Sequence, residues 1–230
     1  MREKSLISIH LNQVSVSYDS TKTALLPVTY DVPMGKVIRA TGQPGSGKST
    51  FLKLLMGLQM PTSGSLLING MELAELSFEE FLPLRLKMGF SFEHGGLIYN
   101  KSLYENVTLP LEYHRNYRRK EIRQRAESIF AFFGIGEERH QRPAMVIGGL
   151  RKLTCVMRAF VHAPELVLLD DPATGLSPAM KSRLADWIGS YRMIYPDSTI
   201  VFTTDDEFLL SKIPHETIEL QYPQKERKSA

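Results

Sequence analysis

The sequence is short of cysteine: Cys155 is the only one in 230 residues. A lone cysteine cannot close an internal disulfide, which points to a reducing compartment. Long apolar runs are missing too. No stretch approaches the roughly 20 residues needed to span a bilayer, so any membrane span in a working assembly would come from another chain. The start, Met1-Arg2-Glu3-Lys4-Ser5-Leu6, has charge but no apolar segment after it, and no secretory leader is expected. Charge of one sign is scarce. A net charge of +3 is too small to argue for nucleic acid as a partner. Internal repeats and low-complexity segments are absent. What is present suits one compact α/β domain, or a domain with a subdomain: 43% of residues are apolar, enough for a sizeable core.

Within that ordinary composition one stretch stands out, Gly42-Gln43-Pro44-Gly45-Ser46-Gly47-Lys48-Ser49-Thr50. It fits G-x-x-x-x-G-K-[ST], the phosphate-binding loop. Glycines at 42, 45 and 47 let the backbone curl through positive φ and point N–H groups inward as an anion nest. A helix starting at the loop adds its positive dipole end. In this pattern Lys48 reaches the β- and γ-phosphates and Ser49 coordinates Mg²⁺. The alternative is a Gly/Ser-rich turn that matches by chance, and context argues against it. Lys36 to Thr41 reads as a short strand. Phe51, Leu54, Leu55 and Leu58 follow at helical spacing, and Gly57 lies near that helix's end.

Taken in order, Ile7, Ile9, Leu11, Val14 and Val16 alternate with polar residues as in a half-buried strand, closed by Tyr18. Leu25 to Val32 reads as a second strand. Pro61 to Gly64 reads as a turn, Leu66 to Ile68 as a strand, and Asn69-Gly70 as a hairpin-type turn. These early strands look antiparallel. Met88 to Phe92 is another strand. From Ser102 to Gly136 the pattern is helical, and Ser102 with Glu105 resembles a capping box. The basic run Arg115 to Lys120 reads as a solvated connection between helices. Further on, Leu150 to His162 is a helix, Leu166 to Leu169 a fully buried strand, Pro178 to Ile194 a helix, Thr199 to Thr203 a strand and Ile218 to Leu220 a last strand. Pro223 to Ala230 reads as a polar tail.

The strand at 166–169 ends in Asp170-Asp171-Pro172. A buried strand that delivers Asp170 to the phosphate side can hold Mg²⁺ through water or Ser49. By itself it is also an ordinary strand followed by an acidic turn.

Together these segments resemble the ATP-binding subunits of ABC transporters, in the right order from about Ile7 to Leu220. The resemblance implies a P-loop NTPase core with an antiparallel β subdomain and an inserted α-helical subdomain. The core would span about 1–93 and 148–222, the insert 94–147 and the tail 223–230. It implies that Tyr18 stacks on adenine, that Gly42 to Thr50 is the Walker A loop and that Leu166 to Asp171 is the Walker B strand. Val146-Ile147-Gly148-Gly149-Leu150 stands at the L-S-G-G-Q signature, Pro172 to Ser177 at the D-loop and Val201 to Asp205 at the switch strand. Gly148 and Gly149 would contact nucleotide, and ATP and Mg²⁺ are the implied cofactors. The segments Gly95 to Asn100 and Glu105 to Leu111 look most like cassettes of Mla/Mce-type lipid transporters, with lipoprotein-release cassettes next.

The chain departs from the family at several catalytic positions. The Glu that orients the attacking water is Asp171, whose carboxylate stops about 1.5 Å short. The switch His is Thr204, which carries no positive charge. The Q-loop Gln looks to be Glu93, which could still ligate Mg²⁺ but adds negative charge. The signature Ser and Gln are Ile147 and Leu150, and the D-loop Asp is Ser177. Two cassettes of this family sandwich two ATP molecules, so in a homodimer or a heterodimer no composite site would escape the changes. The binding equipment is kept and the hydrolytic equipment is altered. Either Asp171, Thr204 and Glu93 form an alternative working site, or turnover is slow or absent.

Three functions compete: a transport motor, a non-catalytic subunit that gates or assembles a membrane complex, and a soluble cassette acting on ribosomes or DNA. The third is disfavoured, because this chain has neither a second cassette nor a long coiled-coil insertion. The resemblance therefore implies a peripheral location on the cytoplasmic face of the inner membrane. The implied partners are a permease, a second cassette and possibly a lipid-binding subunit, with no nucleic acid.

Overall fold

The computed structural model describes residues 8–18, 23–94, 96–114 and 117–222. Ile7, Gly95, Arg115, Asn116 and the 223–230 tail, each read above, lie outside the described residues.

Two sheets organise the chain. The first is four-stranded with order β2-β1-β4-β5, from β1 (Ile9–Ser17), β2 (Thr23–Asp31), β4 (Ser63–Ile68) and β5 (Met71–Glu72). Its pairings are antiparallel. The second is five-stranded with order β6-β7-β8-β3-β9, from β3 (Val37–Thr41), β6 (Met88–Ser91), β7 (Leu166–Asp170), β8 (Thr199–Thr203) and β9 (Glu216–Glu219). Its pairings are parallel. The antiparallel start read from the sequence is therefore present, and β3 leaves it to join the parallel sheet.

One turn read from the sequence is partly strand. Ser63 and Gly64 belong to β4 rather than to a turn over 61–64. The cause is a bulge in β1, where the pairing with β4 shifts between Asn12 and Ser15 and Gln13 takes φ 50°. Gly64, at φ 78°, sits so close that a Cβ would lie 2.2 Å from the Gln13 carbonyl oxygen. Only glycine fits there.

The helices are α1 (Lys48–Leu55), α2 (Phe78–Arg85), α3 (Leu103–His114), α4 (Arg119–Phe133), α5 (Gly148–Phe160), α6 (Pro178–Ile194) and α7 (Glu207–Lys212). The box that starts α3 is formed: Glu105 Oε2 accepts from Ser102 N at 2.7 Å, and Ser102 Oγ accepts from Glu105 N at 3.2 Å. Sequence reading passed over α2 and α7. The signal for α2 was the same box, Ser77 with Glu80.

The strand β7 places the chemistry. All five of its residues are buried, and the two-residue period sends alternate side chains to opposite faces. Leu166 and Leu168 join the apolar core with β1, β2 and α1. Val167 and Leu169 join the other core with α3, α4, α5 and α6. In β8, Val201 faces the first core while Ile200 and Phe202 face the second. Both cores thus meet on the strands whose C-terminal ends carry Asp170 and Thr203.

Candidate functional site

The loop after β3 has the backbone that its glycines predict. Gly42, Gly45 and Gly47 take φ 151°, 86° and 92°. A Cβ on Gly47 would lie 2.4 Å from the Ala24 carbonyl oxygen, so no larger residue fits. Ser46 N donates to Gln43 O at 3.0 Å, which closes the curl. The buried Ser46 Oγ has no hydrogen-bond partner among the described residues. At the start of α1 no side chain caps the helix and no acidic residue occupies the first turn. The helix end therefore keeps its free N–H donors and its positive dipole. Lys48 Nζ donates to Gly42 O at 2.7 Å and lies 3.5 Å from Asp205 Oδ2. Open donors and a flexible ammonium in one curl fit a polyphosphate. Tyr18 is 59% exposed, with its hydroxyl 3.4 Å from Thr50 Oγ1, so its ring is presented beside the base of α1.

Across from the loop, Ser49 Oγ donates to Asp170 Oδ1 at 3.0 Å. Thr203 Oγ1 donates to the same oxygen, also at 3.0 Å, and accepts from Asp171 N at 2.9 Å. Asp170 is 4% exposed and fixed by β7. Asp171 turns out of the strand at φ 38°, a left-handed conformation uncommon for a residue with a Cβ but tolerated by Asp. Both of its carboxylate oxygens are engaged. Thr204 Oγ1 donates to Oδ1 at 3.1 Å, and Thr174 Oγ1 donates to Oδ2.

These groups line one cavity of about 490 Å³, together with Pro44, Lys48, Glu93 and Lys181. Its titratable lining is five carboxylates, of Glu93, Asp170, Asp171, Asp205 and Asp206, against two ammonium groups, Lys48 and Lys181. Such a wall repels a triphosphate unless a divalent cation enters with it. The Ser49 hydroxyl beside the Asp170 carboxylate is a pair of hard oxygen donors that suits Mg²⁺. Among the described residues no group of three or more His, Cys, Asp or Glu could hold a metal alone. Mg²⁺ usually completes its shell with water and phosphate oxygens.

Gly148 and Gly149, the first residues of α5, do not line this cavity. Gly148 opens onto a neighbouring one of about 310 Å³, with Glu93, Tyr99, Thr174 and Gly175. Gly149 packs against the D-loop position, where a Cβ would lie 2.4 Å from Gly175 O. Ile147, in place of the signature Ser, is 67% exposed.

Five residues missed by sequence reasoning tie these pieces together: Lys152, Thr174, Thr203, Lys181 and Arg39. The buried Lys152 ammonium donates to Phe92 O at 2.7 Å, Asp170 O at 2.5 Å and Glu93 O at 3.3 Å. Burial pushes its pKa down, against the pull of Cys155 and of the Asp171, Asp170 and Glu93 carboxylates. Arg39 Nε donates to Thr204 O at 3.1 Å and its Nη2 to Asp205 Oδ1 at 3.2 Å, fixing the switch strand's end to β3. A lysine among the apolar positions of α5 and an arginine inside β3 were the available signals.

The strand, glycine curl, helix and buried carboxylate define a nucleotide-binding P-loop cassette. The chain belongs to the ABC transporter family, whose sequence profile matches residues 25–174. It is similar to the probable ribonucleotide transport ATP-binding protein mkl of Mycobacterium tuberculosis, with 33% identity over 90% of this chain and 57% of that protein. It is also similar to the methionine import ATP-binding protein MetN 1 of Acinetobacter baylyi, with 34% identity over 75% of this chain and 48% of that protein. The chain thus spans about half the length of these curated relatives. Among solved structures, the dimeric ABC transporter cassette MJ0796 superimposes with a TM-score of 0.82 at 26% identity, over 93% of this chain and 94% of that one. A post-hydrolysis state of MJ0796 bound to ADP and Pi gives 0.80 at 25% identity, over 94% of this chain and 97% of that one. The ABC-type fold expected from the sequence is the fold observed.

Proposed function

We propose that this chain is the ATP-binding subunit of a membrane transporter, working as a peripheral partner of a permease on the cytoplasmic face of the inner membrane. The observation that carries the reading is the uncapped start of the P-loop helix, with Lys48 and the Ser49–Asp170 contact on the wall of one cavity. In this reading Gly42 to Ser49 wrap the phosphates and Thr50 carries Tyr18 toward the adenine. Ser49, Asp170 and Glu93 serve the metal, and Gly148 and Gly149 serve the nucleotide of a second cassette, identical or not. Mg²⁺, when bound, neutralises charge on the β- and γ-phosphates. The Lys48→Ala variant tests this by fluorescent-nucleotide titration. Unchanged affinity would sink the assignment.

Turnover in this reading is slow. A general base needs a free acceptor within about 2.6–3.2 Å of the attacking water. Asp171 is short, and both of its oxygens already accept from threonine hydroxyls. Thr204 spends its hydroxyl hydrogen on Asp171 rather than on phosphate. This favours, as a second reading, a subunit that gates or assembles the complex by binding ATP alone. Phosphate release from the purified complex, with Lys48→Ala as blank, separates the two.

For the permease we propose the apolar groove between α2, α3 and α5. It has a volume of about 480 Å³ and is lined by Phe78, Leu86, Phe90, Leu109 and Tyr113 among others. Phe78 and Tyr113 are each 61% exposed there, more aromatic surface than a free helix face normally leaves in water. Cysteines at those two positions, or from Tyr99 to Leu103, should crosslink to an integral membrane protein. Recovery from ribosomes or DNA alone would overturn this placement. A lipid as cargo, with a lipid-binding subunit, rests on the segments 95–100 and 105–111 only. The permease determines cargo and direction.

A further inference from the structure

Lys181 sits in the first turn of α6, where a cation opposes the helix dipole. The first turn of α6 contains no acidic residue to offset it. Among the described residues the hydrogen-bond partner of its ammonium is Asp206, whose Oδ2 accepts from Lys181 Nζ, and the two side chains are each 21% exposed. Asp206 already caps α7, with Oδ1 accepting from Leu209 N at 2.9 Å. Its backbone N–H donates to Thr204 Oγ1 at 3.2 Å. The ammonium is therefore held beside the switch position, on the wall of the phosphate cavity, as one of two cations there. The other, Lys48, belongs to the P-loop. Arg39 is nearby, but its guanidinium is committed to Thr204 O and Asp205 and it does not line the cavity.

Building on the nucleotide-site reading above, we propose that Lys181 is a binding residue for the terminal phosphate of a nucleoside triphosphate, supplying the positive charge that Thr204 lacks. Asp206 parks the ammonium while the cavity is without phosphate. An ammonium has three donors on a four-carbon stem, so it can swing from one carboxylate oxygen to a phosphate oxygen. Asp206 keeps its bond to the Leu209 amide when this happens, so α7 is not uncapped. The exchange trades one ion pair for another and leaves a carboxylate to water at the cavity mouth. A diphosphate lacks the phosphate that this ammonium would hold, so the residue should distinguish ATP from ADP.

The test is titration of a non-hydrolysable ATP analogue and of ADP, each with Mg²⁺, against the parent chain and four variants. Lys181→Met should weaken the analogue about tenfold and leave ADP within about twofold, the value of one charge-assisted hydrogen bond. Lys181→Arg should retain most of the preference. Asp206→Asn keeps a cap acceptor and releases the ammonium, and should raise the preference for the triphosphate. If Lys181→Met weakens both ligands equally, or neither, the inference falls. It also falls if Asp206→Asn loses triphosphate preference, which would make the pair merely structural. Should Lys181→Met fail to fold in a thermal melt, the direction of the Asp206→Asn change decides. Lys48→Ala is the fourth variant: if it has no effect the nucleotide site itself is misassigned, whereas a null Lys181→Met beside an effective Lys48→Ala removes only this proposal.

Discussion

The two ends of the phosphate cavity are built on opposite plans. At the P-loop end the helix start is left open, with no side-chain cap and no acidic residue in its first turn. At the far end the groups satisfy each other. Asp171 takes both threonine hydroxyls, Thr203 bridges Asp170 Oδ1 and the Asp171 amide, and Asp206 takes Lys181. Uncommitted helix donors are preorganised for a ligand, and only Lys48 and Ser49 have contacts to exchange when an anion arrives with its metal. A self-satisfied end has to surrender hydrogen bonds before it can act. Binding and chemistry are thus separated in space within one cavity.

The largest expected effect breaks the open end. Lys48→Ala removes a charged donor and should weaken Mg·ATP binding by about a hundredfold, read by titration. Next comes the closed end. If Asp171 is limited by reach and by its threonine partners, Asp171→Glu with Thr204→His should raise phosphate release by at least about tenfold, since one restored transition-state donor alone can be worth about 10²–10³-fold. A parent that already turns over briskly, unimproved by the repair, would show that the altered residues form a working site. Thr174→Ala is the finer instrument. It frees Asp171 Oδ2 while leaving Thr204 in place, and should raise phosphate release by a few-fold, about the worth of one hydrogen bond near 1 kcal/mol. No change would mean that the occupied oxygen is not what limits Asp171.

The smallest effect concerns acid. Burial raises the Asp206 pKa, but the Lys181 hydrogen bond and the Leu209 amide outweigh it and hold the carboxyl below its usual value. A group depressed in the folded state stabilises it above the unfolded pKa, about 3.9 for Asp, and that stability is lost as pH falls through the folded value. Urea midpoints should therefore drop below about pH 4, and Asp206→Asn should flatten that part of the profile. A variant that loses stability in parallel with the parent down to pH 3 would show that the Asp206 carboxyl contributes nothing there.

The open end was legible in the sequence and the closed end was not, for a physical reason. The P-loop is local: its glycines, its lysine and the start of its helix lie within nine consecutive residues, and their conformation follows from backbone sterics. Asp170 was legible because a run of apolar residues ends on it. Of the partners of Asp171, Thr174 is local and Thr204 is not. Thr204 lies 33 positions away and Lys152 reaches carbonyls 60 and 18 positions away, so only the parallel sheet brings them together. The substitution at each catalytic position could be read, but not that Asp171 and Thr204 bind each other. The helices α2 and α7 were missed because they are short and their apolar residues do not form a clean period, although Ser77 and Asp206 cap them.

Along the chain α5 follows directly on the helical segment α3–α4, yet mechanically it belongs to the sheet. Lys152 pins it to the ends of β6 and β7. Gly89 of β6 sits so tightly under it that a Cβ would fall 1.9 Å from Ala159 O. The helix is thus held on that sheet both toward its start and toward its end. The helix that Gly148 starts is therefore coupled through Lys152 to the backbone carrying Asp170 and Glu93.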